Sequence, residues 1–127
     1  MLPERKREKH SDNSWMKLEI ITTPTFDKEF KRLKKKYISL PNDLEIFEKE
    51  LLEDTNIGID LGGNVRKVRI AVKSKNKGKS GGVRVITYSV ILKITDRMIF
   101  LVTLFDKSDK ENIPDSEIKK IIKAIGF

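Results

Sequence analysis

Hydrophobic positions along the chain recur first with a helical period and then with a period of two. Residues 17–23, KLEIITT, are short, β-branched and halted by Pro24, which predicts a strand. Phe26, Phe30, Leu33 and Tyr37 then fall at i, i+4, i+7 and i+11, a single stripe on a helix opened by Pro24 with Thr23 or Thr25 as its cap. A second stripe, Leu40, Leu44, Phe47 and Leu51, follows on a helix opened by Pro41 and ended near Asn56 and Gly58. The short joint over residues 38–40 makes the pair a helical hairpin.

Past Gly62 and Gly63 the period changes. Val68, Ile70 and Val72 alternate with Lys67, Arg69 and Lys73, a strand with one buried and one wet face. Residues 83–90 form the next strand, with Arg84, Ile86 and Tyr88 on one face and Val83, Val85 and Thr87 on the other. Residues 99–105, IFLVTLF, are nearly all apolar and read as a central strand covered on both sides. Ile118, Ile121, Ile122 and Ile125 mark a last helix. Its early Asp115 and Glu117 and late Lys119, Lys120 and Lys123 complement the helix dipole.

The order β-α-α-β-β-β-α predicts an α+β fold. We expect a largely antiparallel four-stranded sheet with the helices on one face, an N-terminal helical hairpin and a C-terminal helix. Residues 1–16 show no core-forming period and are expected to be a flexible extension, leaving residues 17–127 as one domain, which suits a chain of 127 residues. The absence of cysteine excludes disulfides, thiol nucleophiles and cysteine-ligated zinc. The only histidine, His10, lies in the extension, which disfavours imidazole catalysis. No apolar run approaches the roughly 20 residues of a membrane helix, and the first residues lack the apolar stretch of a secretory signal, so the expected location is the cytoplasm.

Charge changes the picture most. The formal net charge is +8, yet residues 61–95 contain no Asp or Glu and nine cations: Arg66, Lys67, Arg69, Lys73, Lys75, Lys77, Lys79, Arg84 and Lys93. More than the whole net charge thus falls on one predicted hairpin and its long loop. A sheet-borne positive surface of this kind suits a polyanion, and nucleic acid is the obvious one. The strand pattern singles out Lys67, Arg69 and Arg84, joined by Lys107 after the apolar strand. Arg66, Lys73, Lys75, Lys77 and Lys79 are candidate RNA contacts, with Tyr88 as an aromatic one. The alternative is that these cations keep the protein soluble or meet an acidic protein. Lys28, Lys31, Arg32, Lys34, Lys35 and Lys36 on the first helix read as a solvated face. Gly78, Lys79 and Ser80 imitate the end of a phosphate-binding loop, but Lys73 stands at the first glycine position and a strand follows, which argues against nucleotide hydrolysis. The acids of the second helix, Asp43, Glu45, Glu48, Glu50, Glu53 and Asp54, have the spacing of a wet face, so neither a metal site nor a cofactor is expected.

Three segments carry a family resemblance: L-x-G-x-x-R-K-x-R from Leu61 to Arg69, G-G-x-R-x-I-x-Y from Gly81 to Tyr88, and F-D-K-S-D from Phe105 to Asp109. Their order and spacing, within about residues 16–125, resemble the RelE/HigB-type toxins of bacterial type II toxin-antitoxin modules, in the RelE/ParE superfamily. The resemblance implies a microbial-ribonuclease-like fold and a metal-independent mRNA endonuclease that works in the ribosomal A site, against mRNA and rRNA. It also implies neutralisation by a cognate antitoxin, of helix-turn-helix type. It carries the active-site cations over to Lys67, Arg69, Arg84 and Lys107. Several such toxins place a tyrosine or histidine beyond the last strand, where this chain has Ile113 and neither residue type. Lys67 is then the expected proton-transfer group, its pKa lowered by neighbouring cations, with Tyr88 the nearest aromatic candidate. Two rival readings share the surface: a non-catalytic nucleic-acid-binding module, and a gyrase-poisoning toxin of the same superfamily.

Overall fold

The computed structural model describes residues 6–10, 17–75, 78 and 81–126, and for residues 6–10 the backbone alone. The elements are β1 (Lys6–His10), β2 (Lys17–Thr22), α1 (Pro24–Lys36), α2 (Leu40–Glu53), β3 (Ile59–Gly62), β4 (Val65–Ile70), β5 (Val83–Lys93), β6 (Asp96–Asp106) and α3 (Asp115–Ile125). They form one sheet in the order β1-β2-β6-β5-β4-β3. β2 runs parallel to β6, from Lys17 opposite Asp96 to Thr22 opposite Leu101, and the remaining pairs are antiparallel.

The α+β class holds, but the expected count of four strands is too low. From Lys17 onward there are five strands, and β1 adds a sixth by pairing antiparallel with β2. β3 escapes a hydrophobic pattern because all four of its residues are exposed. A two-residue turn creates it instead: Gly63 and Asn64 both have positive φ, 61° and 65°, the conformation that matches the twist of a tight hairpin. β1, KREKH, has no apolar position to betray it. The other residues of the expected 1–16 extension lie outside those described, as do Lys77 and Lys79.

Helices cover both faces rather than one. α1 and α2 bury Phe26, Leu33, Leu44, Phe47 and Leu51 against Leu18, Ile20, Val68, Val85 and Leu101. α3 packs on the opposite face, where Ile118 meets Val65, Ile86, Phe100 and Val102. The reason is the composition of β6: Ile99, Leu101 and Leu104 face one way, Phe100, Val102 and Phe105 the other, and a strand apolar on both sides needs a layer on each. Each fully buried Phe or Leu contributes on the order of 1.5–3 kcal/mol. Thr23 joins the first layer to the sheet, because its hydroxyl oxygen accepts from the N–H of Phe26 at the start of α1 and donates to the carbonyl of Val102 at 2.6 Å.

Candidate functional site

The pleat of β4 turns Val68 and Ile70 into the α1/α2 layer, so Val65, Lys67 and Arg69 stand on the other face, with α3. On β5 the residues opposite them are Tyr88, Ile86 and Arg84. Arg69 is therefore cross-strand to Arg84, and Arg84 is in turn opposite Phe105 on β6. Side chains directly opposite in an antiparallel pair start about 5 Å apart. Lys67 lies two positions from Arg69 on the same face, and Lys107 follows the last residue of β6, its N–H directed at the carbonyl of Gly82. Arg69, Arg84 and Lys107 thus lie at the end of the sheet where β6 stops, with Lys67 two positions further in on the face of Arg69.

Their exposures differ. Arg69 is exposed, Lys67 and Lys107 are intermediate, and Arg84 is 4% exposed. Burial pushes the Arg84 guanidinium below its ordinary pKa, the facing Arg69 pushes it further, and the carboxylate of Glu111 pulls it back. A guanidinium stays charged through such shifts. Arg84 is a desolvated positive charge held opposite a second one, at the mouth of a site open to solvent through Arg69. Glu111, which sequence reasoning did not single out, is the carboxylate whose charge reaches it.

The auxiliary cations scatter. Arg66 points to the α1/α2 face and donates to the carbonyls of Ile57 and Gly58 at 3.1 and 3.0 Å, which fastens the loop entering β3. Lys73 is exposed, and its backbone N–H donates to Asp43. Lys75 is turned inward: its ammonium pairs with Asp106 and lies 5.1 Å from the centre of the Tyr37 ring. Tyr88 is half-buried and stacks on Phe100 at 6.2 Å between ring centres, at the edge of the core under α3.

Asp106 is the group that sequence reasoning overlooked, although the F-D-K-S-D segment contains it. It closes β6 and is fully buried. Its carboxylate accepts from the Tyr37 hydroxyl at 2.6 Å, from Lys75, from Lys36 at 3.4 Å and from the N–H of Ser108 at 3.0 Å. Burial alone would push the carboxyl up, but the hydrogen bonds from Lys75, Tyr37 and Ser108 outweigh it and hold the group well below the usual carboxylate range. Stability from a depressed carboxyl is complete above its unfolded pKa of about 3.9 and is lost as pH falls towards the folded value. The melting temperature should therefore drop steeply below about pH 4, and calorimetry between pH 5 and 2.5 should find a shallower drop in Asp106→Asn. Equal slopes would remove Asp106 from the acid response.

The basic loop is clasped beside this point. Ser39, between α1 and α2, and Ser74 exchange hydrogen bonds, each N–H donating to the other's hydroxyl oxygen at 2.9 and 2.8 Å, and the Ser39 hydroxyl also donates to Asp43. Among the described residues no group of three or more His, Asp or Glu is arranged to hold a metal.

Residues 24–126 match the family model described as the RelE toxin of the RelE / RelB toxin-antitoxin system. The chain belongs to the RelE toxin family. The match spans α1 to the end of α3 and takes in every cation of the site. Membership of the RelE family makes the protein the toxin half of a toxin-antitoxin pair and implies an antitoxin partner. Among the described residues of this RelE toxin, no helix is long and apolar enough to cross a membrane.

Proposed function

We propose that this RelE toxin is an endoribonuclease that cuts mRNA in the ribosomal A site without a metal. The observation that carries the reading is the apposition of Arg69 and Arg84 across β4 and β5, with Lys67 beside them and Lys107 at the end of β6. Like charges directly opposite one another are unfavourable in a sheet, so such a cluster makes sense as a receptor for concentrated negative charge. In strand scission the RNA 2′-hydroxyl attacks its own 3′-phosphate and the 5′-oxygen leaves. The step needs a base for the hydroxyl, an acid for the leaving oxygen and fixed positive charge around the phosphorane. Arg84 offers a planar fork to the phosphate oxygens. Arg69 and Lys107 neutralise developing charge, and the proton transfer is assigned to Lys67, beside Arg69 on the same strand face.

Lys67→Arg tests the assignment, because it keeps the charge and removes the titratable amine. We expect its cleavage rate on mRNA-programmed ribosomes to fall nearly as far as that of Lys67→Ala. Retention of most of the rate would leave Lys67 as an electrostatic contact only. Cleavage on programmed ribosomes should need no divalent ion beyond the Mg2+ that keeps the ribosome assembled, since a cluster of cations repels a divalent ion. Binding of ribosomes without any cut product would instead favour a non-catalytic RNA-binding module. The antitoxin partner is expected to be acidic and apolar where it lies on this basic surface, and to be of helix-turn-helix type with the location of both proteins in the cytoplasm.

A further inference from the structure

Lys107 carries a proposed role in charge neutralisation, yet it stands in a turn, where a lysine on a flexible stem would cover a wide arc and lose most of its effect on one phosphate. The turn is unusually constrained at its first residue. Asp106 holds it through the backbone, its carbonyl accepting from the N–H groups of Asp109 and Lys110 at 3.0 and 3.1 Å. Its carboxylate holds it again, accepting from the N–H of Ser108. The same carboxylate takes the Tyr37 hydroxyl from the end of α1 and the Lys75 ammonium from the root of the basic loop, and Lys75 donates further to the Ser108 hydroxyl at 3.0 Å. Arg32 and Lys36 of α1 reach Asp109, at 3.5 and 3.7 Å, on the far side of the turn. Three segments distant in sequence thus meet at one buried side chain, and the residue next to it is Lys107.

We infer that Asp106 is a positioning residue for Lys107: with Tyr37 and Lys75 it fixes the turn after β6, so that the Lys107 ammonium is presented to the scissile phosphate in one place. Lys75 is then a strut of the site, and its charge is spent on Asp106 rather than on RNA. The inference rests on the proposed endonuclease reading for its catalytic consequence, but the rigidity of the turn can be measured apart from any cleavage.

The experiment combines Asp106→Asn, Tyr37→Phe and Lys107→Ala, singly and in pairs, in the full-length chain. Asp106→Asn keeps the shape and removes the charge that orients Lys75. Tyr37→Phe keeps the ring and removes one donor, and serves if the Asn variant does not fold. On programmed ribosomes Asp106→Asn should lower kcat about tenfold to a hundredfold with little change in KM, the scale of a small misplacement of a catalytic group, and Tyr37→Phe should lower it several-fold. In the Lys107→Ala background either change should have almost no further effect, because a residue acting through Lys107 has nothing left to position. Losses that multiply in the double variants, or an unchanged kcat in Asp106→Asn, would overturn the inference. Amide hydrogen exchange at residues 107–110 gives the independent readout. It should quicken in Asp106→Asn and Tyr37→Phe and stay slow in Lys107→Ala, and unchanged exchange in the first two would also overturn the inference. A wild-type protein that cuts no mRNA would remove the endonuclease reading, while the exchange data would still decide whether Asp106 orders the turn.

Discussion

Arg84→Met should reduce mRNA cleavage several hundredfold, about 3–4 kcal/mol of transition-state stabilisation, and leave the melting temperature close to that of the wild type. The two halves of this expectation come from one arrangement. Arg84 is 4% exposed and directly opposite Arg69, so the fold carries both a desolvated cation and a like-charge cross-strand pair at this place. Methionine fills similar volume and relieves both costs, but gives up the attraction of Glu111 and the other contacts of the guanidinium. Activity should thus fall far more than stability, as expected where a site is held ready against local electrostatics. Thermal melts run beside the ribosome cleavage assay decide the matter. A variant that loses several degrees and its activity together would make Arg84 a structural residue.

Gly82→Ala should be the most damaging single methyl in the described part of the chain. A Cβ at Gly82 would run into the carbonyl oxygen of Ile70 and lie 3.0 Å from its carbonyl carbon and 3.3 Å from the Cα of Ala71. All three are backbone atoms of β4 or the residue after it, so no rotamer change relieves the clash. Only a displacement of β4 from β5 does, and that displacement separates Arg69 from Arg84. Overpacking against movable side chains typically costs 1–3 kcal/mol, and against fixed backbone we expect about 3 kcal/mol or more on that scale, with cleavage lost alongside. Gly78→Ala is the control: its φ of 62° strains an alanine, but nothing lies within 4 Å of the new atom. Denaturant titration should show a large shift in the midpoint for Gly82→Ala and a small one for Gly78→Ala. Similar shifts would mean that the strand contact is slack.

The residues that sequence reading placed correctly are those whose position follows from a short-range period. The alternation about Val68 and Ile70 put Lys67 and Arg69 on one face, and the structure finds them there, Arg69 opposite Arg84 and Lys67 opposite Ile86. The stripe from Phe26 to Tyr37 lies on α1 and its C-terminal cap, as its spacing requires. What escaped depends on contacts between distant residues. β3 is an edge strand held by a turn and by backbone pairing, with no buried side chain to mark it. Lys75 looked like one more cation of the loop, because its partner Asp106 is 31 residues away. Asp106 itself, an acid at the end of an apolar run, looks in sequence like the place where a strand meets water, whereas it is fully buried. The side assignment of α3 was legible in principle, since residues 99–105 already demanded cover on both faces.

The central position of β6 bears on when the toxin becomes dangerous to the cell that makes it. β6 pairs with β2 on one side and β5 on the other, so it joins the first and second halves of the sheet, and among the described strands it comes last in the chain. Until it leaves the ribosome, β2 lacks the neighbour that separates it from β5, and the core has no floor. These contacts bridge nearly the whole chain, which makes folding late as well as slow. A polypeptide released early, before Asp96, carries Lys67, Arg69 and Arg84 but neither the strand that supports Arg84 nor Lys107. A chain that stops before Asp96 therefore cannot assemble the proposed cation cluster.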